Sequence, residues 1–125
     1  MKLLDTTVAI DHLRGVEAAV KLLRGLIDGG EILAASEVVR FELLAGVRSD
    51  ELAALKQFFS AIMWVPVDEA VTRTAGSLAR AHRRAYTGID AADYLIAGTA
   101  LVLDAELLTT NVRHFPTLPG LSSPY

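Results

Sequence analysis

The chain has 125 residues, 52% of them hydrophobic, and a formal net charge of −3. This length predicts one domain with a substantial core, and the absence of cysteine excludes disulfides, thiolate metal sites and cysteine nucleophiles. The negative net charge argues against a protein that holds nucleic acid by general basicity. No uncharged apolar run is long enough to span a membrane, and Asp5 and Asp11 interrupt the N-terminal apolar run. We therefore expect a cytoplasmic protein.

Hydrophobic periodicity predicts short strands that alternate with helices. The strands are expected at residues 2–5, 31–36, 63–67 and 106–110. The helices are expected at residues 7–13, 16–28, 37–47, 51–62, 68–86 and 90–103, followed by a tail, 111–125, without a regular element. Short strands of this apolar character, separated by helices, indicate an α/β fold with a parallel sheet covered on both faces. Ligands of such sheets bind beyond the carboxyl ends of the strands.

The first candidate site residue is Asp5, at the carboxyl end of the first strand. It has a structural interpretation, because aspartate is a common N-cap and a helix follows at once. Thr6 or Thr7 can fill that role equally well, which would leave the Asp5 carboxylate free to face the crevice.

Glu42 is the second candidate, because its helical neighbours at three and four residues are all apolar or glycine: Val38, Val39, Ala45 and Gly46. A surface glutamate is the alternative. A buried carboxylate usually has a cation or a metal as its partner, and no basic residue lies within a turn on that face.

Asp90 and Asp93 are the only charges in a helix that is otherwise apolar all round, which predicts a helix running through the core. Asp90 can be the N-cap and Asp93 the third helical residue, both favoured by the helix dipole. One cap suffices, so Asp93 in particular suits a second role as a metal ligand.

Thr109, Thr110 and Asn111 end the last strand, at the sheet edge predicted for Asp5. They can hold water, orient carboxylates or form a turn. Carboxylates that converge with hydroxyl groups make an oxygen-only site, which fits Mg²⁺ or Mn²⁺ better than zinc.

Four segments together resemble the PIN-domain ribonucleases, and most closely the VapC toxins of toxin–antitoxin pairs. The segments are MKLLDTTVAIDHL, RFELLAG, DAADYLIAGTAL and LLTTNVRHF, in chain order across the whole length. The resemblance implies a three-layer α/β/α domain with a short central parallel sheet, over residues 1–125. It also implies a metal-dependent endoribonuclease, active as a homodimer and inhibited by a VapB-type antitoxin.

The resemblance also assigns roles to residues. Asp5, Glu42 and Asp93 match the acidic metal-binding set, with Asp90 as an auxiliary catalytic residue. Thr6 and Thr110 match supporting hydroxyls. The family's fourth acidic position is missing, and Asn111 and His114 stand in that neighbourhood instead. This departure puts a second metal site in question, but not the first.

The expected mechanism is in-line attack on phosphorus by a water that a metal ion activates. Mg²⁺ held by Asp5 and Asp93 would bind a phosphate oxygen, while Glu42 or Asp90 orients or deprotonates the water. Four arginines are candidates for contacting flanking phosphates or, alternatively, belong to ordinary solvated faces: Arg80, Arg83, Arg84 and Arg113. Together with the resemblance, apolar residues expected at the surface of the segments 16–27 and 51–61 indicate a groove for an antitoxin helix.

Two other functions are compatible with parts of this pattern. A receiver-like phosphoacceptor domain has similar length and clustered aspartates, but it needs a late lysine, and Lys2, Lys21 and Lys56 all lie in the first half. A catalytically degenerate PIN fold that only binds its partners is supported by the missing fourth carboxylate.

Overall fold

The sheet has four parallel strands in the order β3-β2-β1-β4, in a computed structural model that describes residues 1–125. The strands are β1 (Lys2–Leu4), β2 (Leu33–Ser36), β3 (Met63–Val65) and β4 (Glu106–Leu108). Leu3 and Leu4 are fully buried, as is every residue of β2. The predicted α/β class and all four strands are confirmed, although each strand is shorter than its apolar run.

Six α-helices and two 3-10 turns connect and cover the strands. The helices are α1 (Thr6–Leu13), α2 (Glu17–Asp28), α3 (Glu37–Gly46), α4 (Leu52–Ser60), α5 (Glu69–His82) and α6 (Ala91–Leu103). The 3-10 turns lie at Ser49–Glu51 and Val112–His114.

Two expectations about regular structure were wrong. The predicted helix 68–86 ends at His82, and the residues that follow form a turn in which the N–H groups of Ala85 and Tyr86 both donate to the His82 carbonyl. The tail is not wholly irregular, since residues Val112–His114 form a turn that the N–H of His114 closes on Asn111 O at 3.0 Å.

The order in which strands are added to the sheet changes sides at β1, and this change positions the site. β1, β2 and β3 follow one another outward, whereas β4 returns to pair with the other side of β1. Right-handed crossovers then place α1 and α2 on one face of the sheet and α5 and α6 on the other. The carboxyl ends of β1 and β4 meet at this reversal, the usual ligand position in open parallel sheets.

Helix α6 is buried through its middle, from Ile96 to Ala100. It packs so closely on α5 that a Cβ on Gly98 would lie 3.0 Å from Ala75 Cβ. This confirms the expected helix through the core, although its last turn emerges at the surface, where Leu101 and Val102 are 47% and 41% exposed. No helix of the chain is both long and apolar enough to cross a membrane.

Candidate active site

Asp5 lies directly after β1 and is only 5% exposed. Its Oδ1 accepts a hydrogen bond from the Thr6 N–H at 2.8 Å, so it is the N-cap of α1. Its Oδ2 accepts from two hydroxyls, those of Thr109 at 2.7 Å and Thr7 at 3.2 Å. The two interpretations of Asp5 are therefore compatible, because one oxygen caps the helix while the other joins a polar cluster at the sheet edge.

Glu42 lies on α3 and reaches the same cluster through Thr6. The Thr6 hydroxyl donates to Glu42 Oε1 at 2.6 Å, while the Thr6 N–H donates to Asp5. One residue in the first turn of α1 thus connects the two carboxylates. Glu42 is half-buried, so it is not the fully exposed glutamate of the alternative interpretation.

Asp90 and Asp93 form a capping box at the start of α6. Asp90 Oδ1 accepts from the Asp93 N–H at 3.0 Å, and Asp93 Oδ2 accepts from the Asp90 N–H at 3.2 Å. This confirms the predicted N-cap and third helical position. The Asp93 side chain is the more enclosed of the two, at 13% exposure.

The environment of Asp93 disfavours its ionised form. Burial raises the pKa of Asp93 from 3.8 to about 6, and the charge of Asp90 adds to this effect. The Asp90 N–H and His114 act in the opposite direction but only partly offset it. The ionised form of Asp93 therefore lacks enough nearby positive charge to offset its burial.

His114 supplies a side-chain contact to Asp93. Its Nδ1 lies 3.0 Å from Asp93 Oδ2. Thr109, five residues earlier, donates to Asp5. The segment 109–114 therefore touches both carboxylates, one at each of its ends.

The predicted supporting residues were Thr6, Thr110 and Asn111. Thr6 lies in the cluster, but Thr110 and Asn111 take part only through their backbone N–H groups. The Thr110 N–H donates to Thr7 Oγ1 at 3.2 Å, but Thr110 is exposed. The Asn111 N–H donates to Thr109 Oγ1 at 2.9 Å. The hydroxyl against Asp5 is that of Thr109, not Thr110.

The register between β1 and β4 explains why Thr109, and not Thr110, contacts Asp5. Leu4 of β1 pairs with Leu108 of β4, so the next residues, Asp5 and Thr109, emerge side by side at the same edge. Sequence alone supplies no register between strands a hundred residues apart. His114 was not chosen as a supporting residue for the same reason, whereas Thr7, two residues after Asp5, was considered only as a cap.

None of the four acidic residues forms an ion pair with lysine or arginine. In this arrangement no three histidine, aspartate or glutamate side chains lie close enough together to hold one metal ion. Sharing of an ion by Asp5, Glu42 and Asp93 therefore stays a prediction. The donor types fit that prediction, because carboxylate and hydroxyl oxygens suit a hard cation such as Mg²⁺.

The four candidate RNA-binding arginines are exposed and form no ion pair. Arg80 lies on α5, and Arg83 and Arg84 lie in the short connection that leads to Asp90 at the start of α6. Arg113 precedes His114 in the Val112–His114 turn. Arg113 is therefore next in the chain to the histidine that contacts Asp93, whereas Arg83 and Arg84 precede α6 in the chain.

An apolar groove of about 420 Å³ lies between α1, α2 and α4. It is lined by His12, Leu13, Val20, Leu23, Arg24, Ile27, Asp28, Leu33, Ala54, Gln57, Phe58, Ala61 and Ile62. The groove is lined by residues of both segments, 16–27 and 51–61, that the sequence marked as a helix-binding surface.

Comparison with known proteins identifies the family of the chain. Residues 2–120 match the PIN domain family. Ribonuclease VapC19 of Mycobacterium tuberculosis is 63% identical, over 100% of both chains. Ribonuclease VapC10 of the same organism is 40% identical, over 100% of this chain and 93% of the other. A toxin–antitoxin complex from Klebsiella pneumoniae has the same fold, with a TM-score of 0.84, 21% identity, and coverage of 100% of this chain and 98% of that chain. The chain therefore belongs to the PIN-domain family, in the VapC group.

Proposed function

We propose that the chain is a Mg²⁺-dependent endoribonuclease, whose site also accepts Mn²⁺, and that it serves in the cytoplasm as the toxin of a VapBC-type pair. One observation carries the proposal. Asp5 is a buried carboxylate with no basic partner, joined through Thr6 to Glu42 and through the segment 109–114 to Asp93. Its 63% identity to a ribonuclease along the whole chain supports the same function.

Asp5, Glu42 and Asp93 would hold the ion. Carboxylates repel one another when no cation lies between them, and here each carboxylate accepts hydrogen bonds from its own neighbours. A bound cation would supply the attraction that these carboxylates need to come together. When bound, Mg²⁺ neutralises charge on the phosphate and lowers the pKa of a coordinated water.

The chain's own groups would supply the remaining steps. Glu42 or Asp90 accepts the proton of the attacking water, and Thr6 fixes the Glu42 carboxylate through its hydroxyl. The water oxygen would bond to phosphorus as the bond to the 3′ oxygen breaks, and that oxygen would take a proton from solvent, so the products carry a 5′-phosphate and a 3′-hydroxyl. Arg83, Arg84 and Arg113 contact phosphates on either side of the cut, with Arg80 farther along α5.

The proposed protein partner is a VapB-type antitoxin, with a homodimer as the toxin's own assembly. The structure from Klebsiella pneumoniae is a toxin–antitoxin complex, and its fold is that of this chain. The apolar groove between α1, α2 and α4 suits an amphipathic helix, which lays its apolar face into such grooves.

The test is cleavage of cellular RNA by the purified chain, with and without Mg²⁺, followed by sequencing of the new RNA ends. We expect Asp5→Asn and Asp93→Asn each to lower cleavage by about 100-fold or more. Asp50→Asn is the matched control, because Asp50 is exposed and belongs to the Ser49–Glu51 turn. Cleavage at the wild-type rate by both site variants would refute the proposed site. RNA binding without cleavage by the wild type would favour the degenerate binding module.

A further inference from the structure

We propose that His114 is a positioning residue that holds the Asp93 carboxylate by one oxygen and leaves the other available to a cation. The inference rests on the proposed function, because it assigns a role within the same metal site.

The first support is the distribution of hydrogen bonds on Asp93. Two donors converge on Oδ2, the Asp90 N–H at 3.2 Å and His114 Nδ1 at 3.0 Å. Oδ1 accepts no hydrogen bond within the chain, although the side chain is only 13% exposed. Oδ2 is therefore occupied by two donors, whereas Oδ1 is left to bind an ion.

The second support is that the backbone fixes His114. The His114 N–H donates to Asn111 O at 3.0 Å, and the Asn111 N–H donates to Thr109 Oγ1 at 2.9 Å. On the other side, Phe115 is 1% exposed and anchors the turn in the core. The backbone of His114 is therefore tied to the same hydroxyl that binds Asp5, and the imidazole, which is 40% exposed, is held by its contact with Asp93.

The third support is chemical. A carboxylate at position 114 would place a second negative charge against Asp93 and could accept but not donate. The imidazole donates from Nδ1 in a neutral tautomer and in the protonated form alike. In metal sites, partners that hold a ligand in this way orient it, and their loss typically weakens metal binding by about 10–100-fold.

The first experiment measures Mn²⁺ affinity by electron paramagnetic resonance, without RNA. We expect His114→Leu, which removes the donor, to weaken binding about 10-fold or more. His114→Asn retains an N–H donor near the Nδ1 position, so it should restore most of the affinity. His82→Leu is the control, since His82 Nδ1 contacts only Leu78 O on α5, and its affinity should equal that of the wild type.

The outcomes separate the two proposals. Failure of the wild type to bind Mn²⁺ would overturn the proposed function and this inference with it. Wild-type affinity in folded His114→Leu would overturn the inference alone, and so would equal losses in the Leu and Asn variants.

A second measurement uses only the wild type, so it does not depend on the folding of a variant. Nitrogen-15 NMR of the histidine rings at about pH 8 reports which ring nitrogen carries the proton. We expect His114 to be protonated at Nδ1 and bare at Nε2. A proton on Nε2 alone would contradict the proposal, because Nδ1 would then have no hydrogen to donate.

Discussion

The Thr109 hydroxyl donates a 2.7 Å hydrogen bond to Asp5 Oδ2, although the two residues are 104 positions apart in the chain. Both are almost completely buried, at 0% and 5% exposure. The contact follows from the pairing of Leu4 with Leu108, which brings the residues after β1 and β4 to one edge. It adds a side-chain hydrogen bond to the backbone pairing of the first and last strands.

Thr109→Val tests the energetic value of this contact, because valine keeps the shape and removes the donor. We expect a loss of about 1–3 kcal/mol in the free energy of unfolding, measured with urea, because a buried carboxylate loses a donor. Thr110→Val is the control and should change stability by less than about 0.5 kcal/mol, since its side chain is exposed. Equal losses in the two variants would contradict the assignment of Thr109.

The raised pKa of Asp93 predicts a pH-dependent stability. The folded state binds this proton more tightly than the unfolded state, with a pKa of about 6 instead of 3.8. The stabilisation from the protonated group is fully present below the unfolded value and is lost as the pH rises through about 6. Asp93→Asn has no charge to lose, so we expect its stability relative to the wild type to increase over that interval.

Urea unfolding without metal, repeated across the interval, measures this difference between wild type and Asp93→Asn. Added Mg²⁺ should then stabilise the wild type above about pH 6, because the ion binds only the folded state. The same addition should have little effect on Asp93→Asn. A constant difference between the two proteins at every pH would show that Asp93 titrates normally.

Gly98 should tolerate no side chain, because α5 and α6 approach each other closely there. A Cβ would lie 3.0 Å from the Ala75 backbone nitrogen and 3.1 Å from Val71 O, atoms that cannot move without shifting α5. We expect Gly98→Ala to destabilise the chain by about 1–3 kcal/mol. The Mg²⁺ affinity should fall as well, since α6 carries Asp93.

Gly76→Ala is the matched variant on α5, where an added Cβ meets nothing within 4 Å. Alanine in an open helical position should stabilise the chain by about 0.5–1 kcal/mol. Thermal unfolding of the two variants should therefore give shifts of opposite sign. A shift of the same sign in both would contradict the close packing of α5 and α6.

The proposed antitoxin groove is tested by Ile27→Asp, because Ile27 lines the groove and is 48% exposed. A charge there should abolish co-purification with a tagged antitoxin co-expressed from the same operon. Ile32→Asp is the control, since Ile32 is equally apolar and 52% exposed but lies outside the groove. Both variants should unfold at nearly the wild-type temperature. Loss of the antitoxin from the control alone would place the binding surface elsewhere.

The sequence was most informative where short-range physics decides the outcome. Apolar runs predicted four strands, and the pattern of Asp90 and Asp93 predicted the capping box at the start of α6. Both features depend on residues within one or two turns of each other. The four family segments, read in order, likewise identified the PIN domain that the comparisons confirm.

The ends of elements were harder to predict, because tertiary contacts decide them. Helix α6 is apolar to Leu103, yet Leu101 and Val102 are exposed, since the neighbouring elements do not cover that side of the last turn. The apolar pattern along a helix shows which residues can be buried. It does not show where the neighbouring elements end.

By itself the sequence determined the parallel α/β fold, the position of Asp5 after the first strand and the two acidic residues that begin α6. Only the tertiary structure decided that Thr109 binds Asp5, that Thr6 connects Asp5 to Glu42, and that His114 contacts Asp93. The physical reason is distance along the chain. Capping and periodicity act between near neighbours, whereas these contacts depend on strand register and helix packing, which are properties of the assembled sheet.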